Sequence, residues 1–358
     1  KKMKLQKIIN RLQKLHPKEI DLSLDRIKNL CEKLGNPQDE TKCIQVCGTN
    51  GKGSTISFLR SILREANIKC NIYTSPHVKI INERFVYNDK MISDNDLSDL
   101  LSKIEEVNNN QPLTYFEALT AAFFYGCKKY KENLVIAEFG LFGRGDAVNI
   151  LKKNLCNIVT SCSEDHLDWL PKNDRTIERI IFEKTSSLLN SNIVVAKQSS
   201  NKIIECIKKN ISKNSARKYY FNENYNFVLK ENNFFYYEDK HGGLKIPRPN
   251  LNGEFQLENA ATAIATLRIL KDIKINDQHI IDGVQKASNI ARLEEIKSGK
   301  LKDLVKNNRL FLDSSHNPGG AKVLNEYLQT LDCNKHVIIG MMANKNHEEY
   351  ISYFKNIS

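Results

Sequence analysis

Residues 46–55 read Val46-Cys-Gly-Thr-Asn-Gly-Lys-Gly-Ser-Thr55, VCGTNGKGST. The stretch has the outline of a phosphate-binding loop but departs twice from the spelling G-x-x-x-x-G-K-[ST]. Counting back from Gly51-Lys52 puts Val46 where the first glycine belongs, and Gly53 stands where a metal-binding hydroxyl is expected. The flanks decide the reading. Lys42–Cys47 (KCIQVC) is a short apolar run of strand type, and Ser54–Glu65 (STISFLRSILRE) carries Ile56, Leu59, Ile62 and Leu63 at helical spacing. Strand, glycine loop and helix in that order let main-chain N–H groups and the helix dipole hold a polyphosphate. Gly48, Gly51 and Gly53 allow close backbone approach, and Thr49 and Asn50 complete the bend. Lys52 brings compact positive charge to the β- and γ-oxygens, and Ser54 and Thr55 open the helix with hydroxyls. An ordinary glycine-rich turn would not need the lysine.

Outward from the loop, strand and helix patterns alternate, which predicts an α/β fold with a mostly parallel sheet flanked by helices. Strands are expected at Asn71–Thr74, Leu134–Glu138, Asn157–Ser161 and Ile193–Ala196. Helices are expected at Thr114–Tyr130, Asn201–Lys209 and Leu257–Leu270, with a β excursion over the aromatic stretch Tyr219–Tyr237. A second, smaller Rossmann-like unit is expected after Arg292: strand Arg309–Asp313, helix Gly320–Thr330, strand His336–Gly340. It stops at Ser358 after two strand–helix pairs and reads as cut short. The expected domains are therefore 1–291 and 292–358, in a chain of 358 residues, long for a single core.

Composition narrows the function classes. No window approaches the length of apolar sequence that a membrane span needs, and the basic N-terminus KKMKLQKIINRLQKL is periodic like an amphipathic helix rather than a signal peptide. A cytoplasmic, monomeric enzyme is expected. The net charge of +12 is spread over lysines interleaved with asparagines, without an aromatic-and-basic stripe, so anionic small molecules rather than nucleic acid are the expected partners. Nine cysteines without a C-x-x-C pair, lying in apolar runs, read as reduced core thiols.

The spelling G-T-N-G-K-G-S resembles the loop of folylpolyglutamate synthases and dihydrofolate synthases, a branch of the Mur-type ATP-dependent amide ligases. Further motifs follow in the family's order. They are Asp21–Pro37 (DLSLDRIKNLCEKLGNP), Thr74-Ser-Pro-His77 with Asn82-Glu-Arg84, Leu113–Ala118 (LTYFEA), and Glu138–Asn149 (EFGLFGRGDAVN). Asp165-His166, Glu183-Lys184, Gly253–Ala260 (GEFQLENA), Ala291-Arg-Leu-Glu294 and Asp313–Pro318 (DSSHNP) complete the series. Phe255 replaces a usual His, and Asn344-Lys-Asn346 stands where D-K-D is expected.

The resemblance implies that ATP phosphorylates a substrate carboxylate and that glutamate's amine displaces the phosphate. It implies Mg²⁺ held by Ser75, Glu138 and His166, with Lys184 carbamylated so that it can serve a second ion. Glu138 at a strand end, read alone, fits a metal ligand and a salt bridge equally well. Asn259, three residues after Gln256, reads as a contact to adenine. Arg292, Asp313 and His316 would close over the nucleotide from the second domain. Lys52, His166 and Lys184 are the expected catalytic groups. Pro76, His77, Arg84, Tyr115 and Phe116 would meet the pterin, although the two aromatics read equally well as core. The expected reaction joins L-glutamate to dihydropteroate, to folate, or to both, with ATP and Mg²⁺. The alternatives are a muramyl-peptide-type ligase, which Gly53 disfavours, and a nucleotide-binding module without ligase activity.

Overall fold

A strand covered on both faces has to be apolar along its length, and every residue of Lys42–Cys47 (β1) after Lys42 is buried. The computed structural model describes residues 2–18, 21–231 and 233–357; Lys1 of the N-terminal helical stretch and Asn232 of the aromatic stretch lie outside the described residues. β1 lies inside an eight-stranded sheet with Cys70–Tyr73 (β2), Phe85–Tyr87 (β3), Lys90–Met91 (β4), Leu134–Glu138 (β5), Cys156–Val159 (β6), Asn192–Val195 (β7) and Lys218–Tyr220 (β8). The order is β4-β3-β2-β5-β1-β6-β7-β8. All pairings are parallel except those of the β2-β3-β4 edge. Val46 lies opposite Glu138, so the loops after β1 and β5 leave the sheet at one level. Such a carboxyl edge, where neighbouring strands diverge in order, is where open α/β sheets bind ligands.

Helices cover both faces. Lys2–Leu12, Asp25–Lys33, Asp94–Asn108, Tyr115–Cys127, Ile177–Thr185 and Asn201–Asn210 bury their apolar sides on one. Lys52–Glu65, Phe255–Ile269 and Asp277–Lys286 cover the other, together with an antiparallel sheet of Tyr225–Glu231 (β9), Phe234–Asp239 (β10) and Gly242–Pro247 (β11). The Tyr219–Tyr237 excursion thus divides: its start joins the main sheet through β8, and the rest enters the smaller one. There Phe235 and Tyr237 alternate inward, as a one-sided sheet requires. Phe255–Ile269 is buried almost all round, and its alanines at 260, 261, 263 and 265 let it lie close to its neighbours.

The second unit departs from expectation. Arg309–Asp313 reduces to Phe311–Leu312 (β13), which pairs antiparallel with Glu294–Glu295 (β12) rather than opening a parallel sheet. His336–Gly340 joins no strand among the described residues, and Ile338 is 99 % exposed. An apolar run becomes a strand only where a neighbour takes its main-chain hydrogen bonds, and β13 spends its pairing on β12. Helices Lys300–Leu304, Pro318–Gln329 and His347–Ser352 make up the rest of the unit's regular structure. All nine cysteines are free; Cys333, read as part of an apolar run, is exposed.

The helix expected over Thr114–Tyr130 starts one residue later because Thr114 is its cap. The Thr114 hydroxyl accepts from Glu117 N at 3.2 Å, and the Glu117 carboxylate accepts from Thr114 N at 2.8 Å. Arg26 also donates to Glu117 at 3.0 Å, tying the N-terminal segment to this cap. Replacing Thr114 by Ala should therefore lower the unfolding free energy by about 1 kcal/mol in urea titration, without changing the slope.

Candidate active site

The loop after β1 is held from both sides. Thr49 N and Asn50 N both donate to Ser161 O, at 2.9 and 3.0 Å, and the Thr49 hydroxyl exchanges hydrogen bonds with the main chain of Ser163. Gly48 has φ +136°, and a Cβ there would lie 2.0 Å from Thr160 Oγ1. Gly51 has φ +88°, and its Cβ would lie 2.5 Å from Asn259 Oδ1. Both positions demand glycine on conformation and on space. The helix begins at Lys52, two residues before the expected start. Lys52 Nζ donates to the carbonyls of Gly48 and Thr49, each at 3.1 Å, and lies 3.9 Å from Glu138.

Three further loops bring oxygen and nitrogen donors to the same edge. Glu138 ends β5, and its Oε2 accepts from Ser75 N, just beyond β2, at 2.9 Å. Burial pushes the Glu138 carboxyl up despite the pull of Lys52 and the Ser75 N–H. Ser75 Oγ is buried without a hydrogen-bond partner. His166, beyond β6, sits in the left-handed region at φ +58° with the Phe142 ring edge-on to it. Burial lowers its pKa to about 3, with the ammoniums of Lys184, Lys345 and Lys52 adding to the effect against Asp165. The imidazole is therefore neutral at physiological pH and has a lone pair to give.

An orphaned hydroxyl, a carboxylate whose ionisation is costly, and a neutral imidazole form a donor set suited to a hard divalent cation. Among the described residues no three His, Cys, Asp or Glu side chains cluster as metal ligands. The chain would then supply part of a coordination shell, as magnesium tolerates when water and phosphate oxygens supply the rest.

Lys184 lies on Ile177–Thr185 but is not the exposed helical lysine its pattern alone suggests. It is buried, and its Nζ donates to Gly48 O at 3.0 Å and Leu141 O at 2.8 Å. Burial, with the charge of Lys52, lowers its pKa to about 8. Its neighbour Glu183 fixes the approach: the Glu183 carbonyl accepts from Gly143 N and Arg144 N, and its carboxylate pairs with Arg144 and Arg179. Arg179 lies on the same helix, four residues before Glu183, so it is Arg144 that ties the helix to the glycine loop following β5.

From the other side, Arg292, Asp313 and His316 line one cleft with Asn50, Lys52, Ser75, Pro76, Glu138, His166 and Asn259. Asp313 Oδ2 accepts from Leu293 N at 2.8 Å, which binds β13 to the linker around Arg292. Asn259 donates to Gln256 Oε1 at 3.0 Å, so the two amides share a helix face as their spacing predicted. His77, Arg84, Tyr115 and Phe116 do not line that cleft. Arg84 Nε donates to His77 Nδ1 at 2.9 Å, and the Phe116 ring packs on Tyr73 and under Gly140.

Sequence reasoning passed over the partners of Asp165 and the exposed Trp169, which lines a separate pocket with Leu22, Leu24, Phe142 and Arg179. The chain's single tryptophan, three residues after His166, was the available signal.

The chain matches the Mur ligase middle domain over residues 46–267. It is 31% identical over 331 residues to the dihydrofolate synthase/folylpolyglutamate synthase of Haemophilus influenzae, covering 89% of this chain and 72% of that protein. Against the Bacillus subtilis protein of the same name it is 29% identical over 355 residues, covering 94% and 79%. A solved structure of E. coli FolC in complex with DHPP and ADP superimposes with a TM-score of 0.87 at 29% identity, covering 99% of this chain and 81% of that one. A bifunctional folylpolyglutamate synthase/dihydrofolate synthase with Mn, AMPPNP and L-glutamate bound gives 0.84 at 29% identity, covering 98% and 80%.

Asp146 shapes the glycine loop after β5. Its carboxylate accepts from Gly140 N, Leu141 N and Val148 N, each at 2.9 Å. Burial nevertheless pushes its pKa up to about 6, against those donors. The folded chain then binds more protons here than the unfolded chain between the free value near 4 and about 6, so this group's contribution falls as pH rises through that window. Urea unfolding at pH 4 and pH 7 should show the wild type losing about 2 kcal/mol relative to Asp146→Asn between the two.

Proposed function

The chain belongs to the Mur ligase family, and from that premise we propose that it ligates L-glutamate to dihydropteroate and to reduced folates at the expense of ATP. The observation that carries the reading is the meeting of a lysine-bearing glycine loop with Ser75, Glu138 and His166 at one sheet edge, where the Ser75 hydroxyl has no partner of its own. The relatives named for both activities support assigning both.

A carboxylate resists an amine because it is already stabilised as an anion. One of its oxygens attacks the γ-phosphorus of ATP, the bond from that phosphorus to the β–γ bridging oxygen breaks, and ADP departs. The amine of glutamate then attacks the acyl phosphate at carbon, inorganic phosphate leaves with the C–O bond's electrons, and the nitrogen gives up its proton to solvent. Three anions converge in this sequence, so the site's work is to position and neutralise them. Loop N–H groups and Lys52 hold the phosphates; Asn259 faces the base; Arg292, Asp313 and His316 close the cleft from residues 292–358, which exclude water from the acyl phosphate. Ser75, Glu138 and His166 hold Mg²⁺, which supplies further charge neutralisation at the phosphate oxygens when bound. Lys184, with a pKa of about 8, presents roughly a tenth of its amine unprotonated at pH 7, the form that takes up CO₂. The carbamate so formed carries a negative charge beside Lys52. The pterin lies against the segment from Pro76 to Arg84 and the start of Tyr115–Cys127.

The boundary between the two domains falls at Arg292, where Ala291 and Leu293 both adopt left-handed backbone, at φ +54° and +52°. The enzyme works as a cytoplasmic monomer on small molecules. No helix among the described residues is long and apolar enough to cross a membrane.

Release of ADP that depends on both dihydropteroate and glutamate, and that is absent with muramyl-peptide substrates, is the expected outcome of a coupled assay. Lys52→Ala should lower that rate at least about a hundredfold. A variant that kept the full rate would remove the phosphate-loop assignment.

A further inference from the structure

Three contacts from residues 292–358 meet at one carboxylate of the main domain. Asp165, in the loop beyond β6, is 8 % exposed. Its Oδ1 accepts from Lys345 Nζ at 2.8 Å; its Oδ2 accepts from Asn317 Nδ2 at 3.2 Å and lies 3.3 Å from His316 Nε2. All three partners come from the second unit. Burial alone would raise this carboxyl, yet His316, His166 and Lys345 together hold it far below the usual carboxylate range.

Asn317 carries the connection to the phosphate loop. Its side-chain amide and that of Asn50 exchange two hydrogen bonds, each of 3.0 Å. The same Asn317 Oδ1 accepts from Gly320 N at 2.9 Å and so caps Pro318–Gln329. That helix starts so close to the loops that a Cβ on Gly319 would lie 2.7 Å from Ser163 Oγ and 3.0 Å from Asn50 Nδ2.

We propose that Asp165 is a positioning residue that latches the second unit over the phosphate loop through Lys345 and Asn317. The physical reason is an asymmetry in buried charge. With Asp165 present, the Lys345 ammonium, whose side chain is 15 % exposed, has a carboxylate at 2.8 Å. Without it, that ammonium is left buried and unpaired, which favours opening. Because Asn317 bonds Asp165 and Asn50 together, the cap and the nucleotide loop move as one body. Arg292, Asp313 and His316 then reach the cleft in fixed positions only while the latch holds. A simpler role also exists for Asp165, since its Oδ1 accepts from His166 N at 2.8 Å and orients that residue. Lys345 lies on the far side of the interface and does not share that role.

The two roles separate by hydrogen–deuterium exchange of the whole chain, comparing wild type, Asp165→Asn, Lys345→Met and the double variant. Each single variant should exchange at least about tenfold faster over residues 313–320 and 342–346, with β1 and β5 still protected. The double variant should be no faster than the faster single, since both break one interaction. Lys345→Met should also raise the KM for ATP by about tenfold while changing kcat less, which a purely structural role would not do. Unchanged exchange over both segments in Lys345→Met overturns the latch, as does strict additivity in the double variant. If Asp165→Asn fails to fold, Lys345→Met decides alone. The exchange measurement needs no turnover, so a wild type without ligase activity would sink the proposed function and leave the latch tested on its own terms.

Discussion

Two ammonium groups share one carbonyl: Lys52 Nζ at 3.1 Å and Lys184 Nζ at 3.0 Å both donate to Gly48 O. Like charges brought this close repel, and much of the site's construction answers that repulsion. The bend carrying Gly48 is pinned through Ser161 and Ser163, so it cannot relax away. Glu138 stands 3.9 Å from Lys52, and burial together with Lys52 moves Lys184 toward its neutral form. With Lys184 unmodified, the result is a concentration of positive potential under low-dielectric cover, the condition that attracts a polyphosphate and makes each contact to it strong.

The parallel sheet is what allows four loops to contribute. β1, β2, β5 and β6 lie side by side and end at one level, so residues separated by dozens of positions arrive at one edge. That part was legible in the sequence because a strand buried on both faces has no polar alternation to obscure it. β1 and β5 occupy the very residues their apolar runs predict. Helix starts were less legible. The phosphate-loop helix begins at Lys52 because Gly51, in left-handed conformation, can stand at its cap.

What stayed illegible is long-range. Asp165 and His166 stand out as a pair of polar residues after a strand, but the partners of Asp165 lie 152 and 180 residues away. No periodicity carries such a distance. Lys184 reads as a surface residue because RTIERIIFEKTSSLL is amphipathic; it is buried because the loop after β5 folds over it and offers Leu141 O. His336–Gly340 fails in the opposite sense. Its composition suits a strand, and strand formation depends on a neighbour that composition does not reveal.

The departures from the family's spelling can be weighed by what each side chain does. Asn346 accepts from Glu349 N at 3.3 Å and caps His347–Ser352, a task Asn and Asp perform alike. Asn344 donates to Asp168 at 3.2 Å, where a carboxylate would face another carboxylate; here the amide is the better partner. Gly53 is the instructive case. Its backbone is not left-handed, and a Cβ there would meet Asn289 Nδ2 at an ordinary 3.6 Å. Neither conformation nor packing therefore requires glycine at that position. A hydroxyl is absent from the place where phosphate loops usually carry one, and Ser75 Oγ, buried and unbonded on the adjoining loop beside Glu138, is available in its stead. The hydroxyl that the usual spelling places on the phosphate loop thus has a counterpart on the loop after β2.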